Sequence, residues 1–167
     1  MGFCVPCSDA VVSAQRILAV TLAVLVSTPI IAAKDLALVS NKSNSVTTIT
    51  MPELVKICKG QTKHWPDGKP VTFITRDPAA ADMKLVLDKI YGIPKGELSN
   101  VIAAANHGRI NHPAILVVNS DASLVQKVES IPGAVGLVDV YSITSGVAVV
   151  RIGGKLPFEA GYPLHGN

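Results

Sequence analysis

The stretch "FITRDPAAADMKLV", Phe73 to Val86, sets several residues that could do chemistry around one turn. An apolar run ends in Arg76, and Asp77-Pro78 then opens a predicted helix reaching Tyr91, whose first turn is Ala79, Ala80 and Ala81. A helix N-terminus beside an arginine attracts anions, because free backbone N–H groups and the positive dipole end point the same way. Hydroxyl side chains or glycines usually complete such a grip, and alanines stand here instead. Arg76 therefore has two readings, an anion contact or a salt bridge to Asp77 or Asp82 at the helix start. Asp77 reads as the helix cap. A second set of donors, Ser40-Asn41-Lys42-Ser43-Asn44, is either a hydrogen-bonding loop for a solute or a solvated turn.

Other reactive residue types lack the context that chemistry needs. His107 and His112 share a loop with Arg109, yet neither an H-E-x-x-H pattern nor a cysteine pair supplies further metal ligands. Serine, histidine and aspartate are present without a G-x-S-x-G or similar nucleophile setting. No catalytic residue, metal or cofactor is expected, and the chain reads as a non-enzyme. Trp65, before Pro66-Asp67-Gly68, either meets a partner or packs its loop onto the domain.

The elements that would position these residues alternate along the chain. "LALVS" (36–40), "VTFIT" (71–75), "AILVV" (114–118), "GAVGLVDV" (133–140) and "GVAVVRI" (146–152) read as strands. Thr50 and Glu53 form a capping box for a helix that carries Leu54, Ile57 and Cys58 on one side and stops at Gly60. The helix over 78–91 ends at Gly92, a short one spans Gly96 to Ala105, and Ser120 caps a fourth bearing Leu124, Val125 and Val128. Strands separated by helices call for an α/β architecture with a mostly parallel sheet and flanking helices.

The 167 residues suffice for one domain with a substantial core, and 49% hydrophobic against 16% charged residues excludes disorder. Ile17 to Val26 follows Arg16 and precedes "STPIIAA", the layout of a secretory signal, with cleavage expected after Ala33. The alternative is an uncleaved anchor, which Pro29 would interrupt. Either way the remainder is placed outside the cytoplasm, periplasmic or secreted. The expected domains are thus residues 1–33, the signal, and 34–167, with no stable membrane insertion after cleavage. Losing 1–33 removes Arg16 and Asp9 together, so the formal charge stays +3, too mild for nucleic acid. Cys4 and Cys7 would leave with the signal, and Cys58 remains as a small buried hydrophobe without a disulfide.

The order of local signatures adds a resemblance. "LALVSNKSNSVTTITMPELVKICKGQTKHWPDGKPVTFITRD" resembles the middle of periplasmic phosphate-binding proteins of ABC transporters, which carry a strand, an Asn-rich loop, a helix, Trp-x-Asp-Gly and a strand ending in Arg. "SIPGAVGLVD" (130–139) and "GYPL" (161–164) resemble two later segments, so the likeness covers about residues 35 to 164. It implies a type II periplasmic-binding-protein-like lobe that binds phosphate or a similar oxyanion and works with an ABC permease or another envelope protein. The family places two α/β lobes around its ligand, and this chain matches from the start of the second. The family's Arg-x-Asp-Gly-Ser-Gly-Thr turn falls on Arg76, Asp77, Pro78, Ala79, Ala80, Ala81 and Asp82. The arginine is kept, the hydroxyls are gone, and Asp82 adds a negative charge. Losing two hydroxyl donors to a charged ligand would weaken binding by about 3–6 kcal/mol. The reading is a solute-binding domain with a weak or partner-dependent site at Arg76, Asp77, Ala79, Ala80 and Ala81, with Ser40 and Asn41 as further donors. Its alternative is an accessory protein that kept the fold and lost the ligand.

Overall fold

Five apolar runs and one two-residue segment form the strands of a single sheet. The computed structural model describes residues 35–80 and 83–166, all within the unit Ala32–Asn167. The expected signal (1–33), Ala81 and Asp82 lie outside the described residues. The strands are β1 (Leu36–Asn41), β2 (Thr48–Ile49), β3 (Thr72–Arg76), β4 (Ile115–Val118), β5 (Ala134–Asp139) and β6 (Val147–Ile152). Their spatial order is β2-β6-β1-β5-β3-β4. β2 pairs parallel with β6, and β3 pairs parallel with both β4 and β5. β1 alone runs the other way, antiparallel to β5 and β6, with Leu36 opposite Asp139 and Asn41 opposite Val147. The expected mostly parallel α/β sheet is therefore present, with one reversed strand near its centre.

Successive side chains of a strand point to opposite faces, so each strand feeds two cores. Leu38, Phe73, Val135, Leu137 and Val150 face one side, under the helices α1 (Met51–Cys58), α2 (Lys84–Val86) and α3 (Leu98–Asn106). Leu54, Ile57 and Cys58 of α1 are buried there, as the helical spacing requires. Val39, Ile74, Ala134 and Val138 face the other side, under Leu124, Val125 and Val128 of α4 (Asp121–Ser130). The result is a sheet between two helical layers.

Local signals set most boundaries. Thr50 and Glu53 exchange both bonds of the capping box, and Gly60 follows α1 with φ 67°. Ser120 accepts from the Ser123 amide at the start of α4. The helix expected over 78–91 is corrected. Residues 78–80 form a turn, α2 begins only at Lys84 without a side-chain cap, and the chain continues as a π-helical turn over Leu87–Tyr91. Gly92 ends it in the left-handed region, as expected.

"GAVG" proves to be a packing motif. Gly133 has φ 88°, and a Cβ there would stand 2.0 Å from the Pro70 carbonyl oxygen. Its own carbonyl accepts from the indole of Trp65, 7% exposed, at 2.8 Å. Trp65 thus packs its loop onto the sheet, the second of its two sequence readings.

Candidate functional site

β3 carries Arg76 to the carboxyl edge of the sheet, and the Asp77 amide prolongs the ladder by donating to the Val118 carbonyl at 3.0 Å. Parallel pairing of β3 with β4 brings the start of α4 beside Arg76. There the guanidinium Nη1 donates to Asp121 Oδ1 at 2.8 Å, both side chains being 17% exposed. Asp121 is the first residue of α4, where the helix dipole favours a negative charge. The chain's own carboxylate thus sits where helix and arginine together would attract an anion. Of the expected alternatives for Arg76, a salt bridge exists, to Asp121, 45 residues on; Asp82, one of the two partners expected for it, lies outside the described residues.

The alanine turn is closed by its own aspartate. Asp77 Oδ1 accepts from the Ala79 amide at 2.7 Å, and the Asp77 carbonyl accepts from the Ala80 amide at 2.9 Å. That is a cap's bond, as expected of Asp77, but it is followed by one turn instead of a helix. Pro78 has no N–H, so the described amides 78–80 offer no open donor to a ligand. Lys95 Nζ donates to the Ala79 carbonyl at 2.5 Å and adds a cation beside the turn.

Ser40 and Asn41 do not join Arg76. β1 is reversed, so its last residues lie at the amino edge of the sheet while Arg76 lies at the carboxyl edge. Both are buried. Asn41 Nδ2 donates to the carbonyls of Val128 (2.9 Å) and Glu129 (2.7 Å), and its Oδ1 accepts from the Ser43 amide and hydroxyl. Asn44 Nδ2 donates to Ser40 Oγ and the Ala134 carbonyl, while its Oδ1 accepts from the Gly133 amide. The side chains of Asn41 and Asn44 brace the loop against α4 and β5, while Lys42 and Ser43 form an exposed turn, the second of the two readings for this loop.

Two features of the carboxyl edge escaped sequence reading. Asp121 could have been found, since parallel pairing of the strands ending at Arg76 and Val118 puts residue 121 near the arginine. The other is an aromatic pair, Tyr141 (86% exposed) and Phe158 (64% exposed), with ring centroids 6.3 Å apart. Phe158 has φ 70°, a left-handed conformation uncommon for such a residue. Among the described residues no group of three His, Cys, Asp or Glu side chains could hold a metal ion.

A family model described as the PBP superfamily domain matches residues 24–158, most of the sequence, and the chain belongs to that superfamily. Solved structures with the same fold include an ABC-type phosphate transport receptor from Vibrio cholerae (22% identity, TM-score 0.65, 81% of this chain and 55% of that one). PstS from Borrelia burgdorferi is also similar (19% identity, TM-score 0.61, 81% and 56%). So is a putative phosphate ABC transporter substrate-binding protein with bound phosphate from Clostridium perfringens (17% identity, TM-score 0.58, 74% and 46%). The chain spans about half the length of these structures. No curated protein matches it.

Proposed function

We propose that this chain is an exported solute-binding domain taking phosphate or a similar oxyanion at Arg76, weakly or together with a partner that completes the site. The observation that carries the proposal is the placement of Arg76, at a strand's carboxyl end beside the N-terminus of α4, in a fold shared with phosphate receptors. Asp77, Ala79 and Ala80 border the ligand position, Ala81 is assigned to it from the sequence, and an ABC permease or another envelope protein is the natural partner. Residues 1–33 act as the export signal, which leaves a periplasmic or secreted protein. Among the described residues no helix is long and apolar enough to cross a membrane.

Affinity is low because Asp121 already neutralises the arginine and the turn amides are bonded within the chain. Calorimetry with phosphate and sulfate is expected to give dissociation constants no tighter than about 10⁻⁴ M, near −5.5 kcal/mol. Restoring hydroxyls with Ala80→Ser and Asp82→Thr should strengthen phosphate binding by about tenfold or more, and adding Arg76→Ala should abolish the gain. Sub-micromolar binding by the unmodified chain would sink the proposal.

The Arg76–Asp121 pair also favours a second reading, an accessory protein that keeps the fold without a ligand. It becomes the better account if neither the unmodified nor the restored chain binds phosphate.

A further inference from the structure

The opposite edge of the sheet carries a cleft of its own. Two loops flank the beginnings of β3 and β4 and enclose an open cleft of about 480 Å³, lined by Lys63, His64, Arg109, Ile110, Asn111 and His112 among others. A strand's length, about 16 Å, separates this edge from Arg76. Four of the lining side chains are basic and none is Asp or Glu. Neither Lys63 nor Arg109 takes part in the ion pairs made among the described residues.

Both walls are held from within. Lys63 and His64 lie on a small hairpin closed by the Val71 amide bonding to the Lys63 carbonyl and pinned by the buried Trp65 indole. The loop with Arg109 and His112 is clamped at its base by Asn106, whose side chain exchanges two bonds with the Ile115 backbone at 2.8 and 2.9 Å. The Arg109 amide also bonds to the Asn106 carbonyl. Fixed walls spare a ligand the ordering of loops, and the volume suits a small molecule. Ile110, 95% exposed, adds an apolar surface beside the cations.

We infer that this cleft binds a small organic anion, a carboxylate or phosphate monoester with an apolar part, its charged end between Lys63 and Arg109 and its apolar end against Ile110. The site is separate from the one at Arg76 and does not depend on it. The test is NMR titration of the full chain with citrate and with phenyl phosphate, reading backbone amides and histidine rings. Saturable shifts centred on His64, Arg109 and His112 are expected, larger for the probe with the aromatic ring. Lys63→Gln with Arg109→Gln should weaken binding by about tenfold or more, since two charge-assisted contacts are lost. Arg76→Ala should leave these shifts unchanged. Lys63 is exposed and Arg109 partly so, and an unchanged melting temperature confirms that the double variant folds, while a dispersed amide spectrum confirms it for Arg76→Ala, which loses the bond to Asp121. The inference is overturned if neither probe moves these residues at millimolar concentration, if the double variant binds equally well, or if only an acidic peptide binds.

Discussion

The ion pair between Arg76 and Asp121 sets what the carboxyl edge can do. Each side chain is largely covered, so the attraction is screened less than at an open surface, and leaving either charge without the other is costly. Asp121→Asn keeps the shape and leaves the Ser120 cap of α4 intact while removing the charge. Chemical denaturation is expected to show a loss of about 2 kcal/mol, the scale of a hydrogen bond between charged groups. The same substitution should raise phosphate affinity about tenfold, because the ligand no longer competes with an internal carboxylate. Destabilisation without any gain in affinity would mean that Asp121 serves the fold alone and that Arg76 is not the anion contact.

At the scale of elements, the packing of α4 on the sheet depends on an absent side chain. A Cβ at Gly136 would lie 2.7 Å from Leu124 Cδ2 and 2.9 Å from the Ile74 carbonyl oxygen. The leucine can turn aside, but the carbonyl belongs to the neighbouring strand and cannot. Gly136→Ala should therefore destabilise by about 1–3 kcal/mol, and adding Leu124→Val should recover little of it. A melting temperature unchanged by Gly136→Ala would show that β5 and α4 separate easily. Legibility in the sequence follows the same division between near and distant partners. The capping box of Thr50 and Glu53, the Ser120 cap and the turn at Gly60 were readable because each bonding partner lies within a few residues. The direction of β1 was not, because it depends on pairing with strands about 100 residues further along. With that direction went the place of Ser40 and Asn41, whose loop braces carbonyls 87 to 90 residues away. The late start of α2 was hidden too, since an Asp-Pro before alanines reads alike whether a helix or a single turn follows.

At the scale of the whole molecule, buried groups that must stay neutral hold the first helical layer together and fasten the tail to the sheet. The Tyr91 hydroxyl donates to the Cys58 carbonyl at 2.7 Å, joining the π-helical turn to the end of α1. The Tyr162 hydroxyl donates to the Leu36 carbonyl at 2.9 Å, fastening the tail to β1. Burial pushes both phenols well above the usual tyrosine range, and it pushes the Cys58 thiol up as well. In the unfolded chain these groups lose their protons at ordinary values, about 8.5 for cysteine and about 10 for tyrosine. Between those values and the raised folded ones the native state holds more protons than the unfolded state, so stability falls as pH rises. Below the unfolded values their contribution is complete, which makes the loss an alkaline one. Urea midpoints should accordingly begin to fall above about pH 8.5 and drop more steeply beyond about pH 10. Tyr91→Phe with Tyr162→Phe should lower stability at neutral pH by about 1 kcal/mol for each lost bond, yet flatten the steep part of the decline. Cys58→Ala should delay the decline until about pH 10 and lessen its slope beyond by one group's share. Absorbance near 295 nm supplies the independent check, since the two buried phenols should ionise together with unfolding. Ionisation of all three tyrosines in a chain that remains folded would contradict the buried positions of Tyr91 and Tyr162.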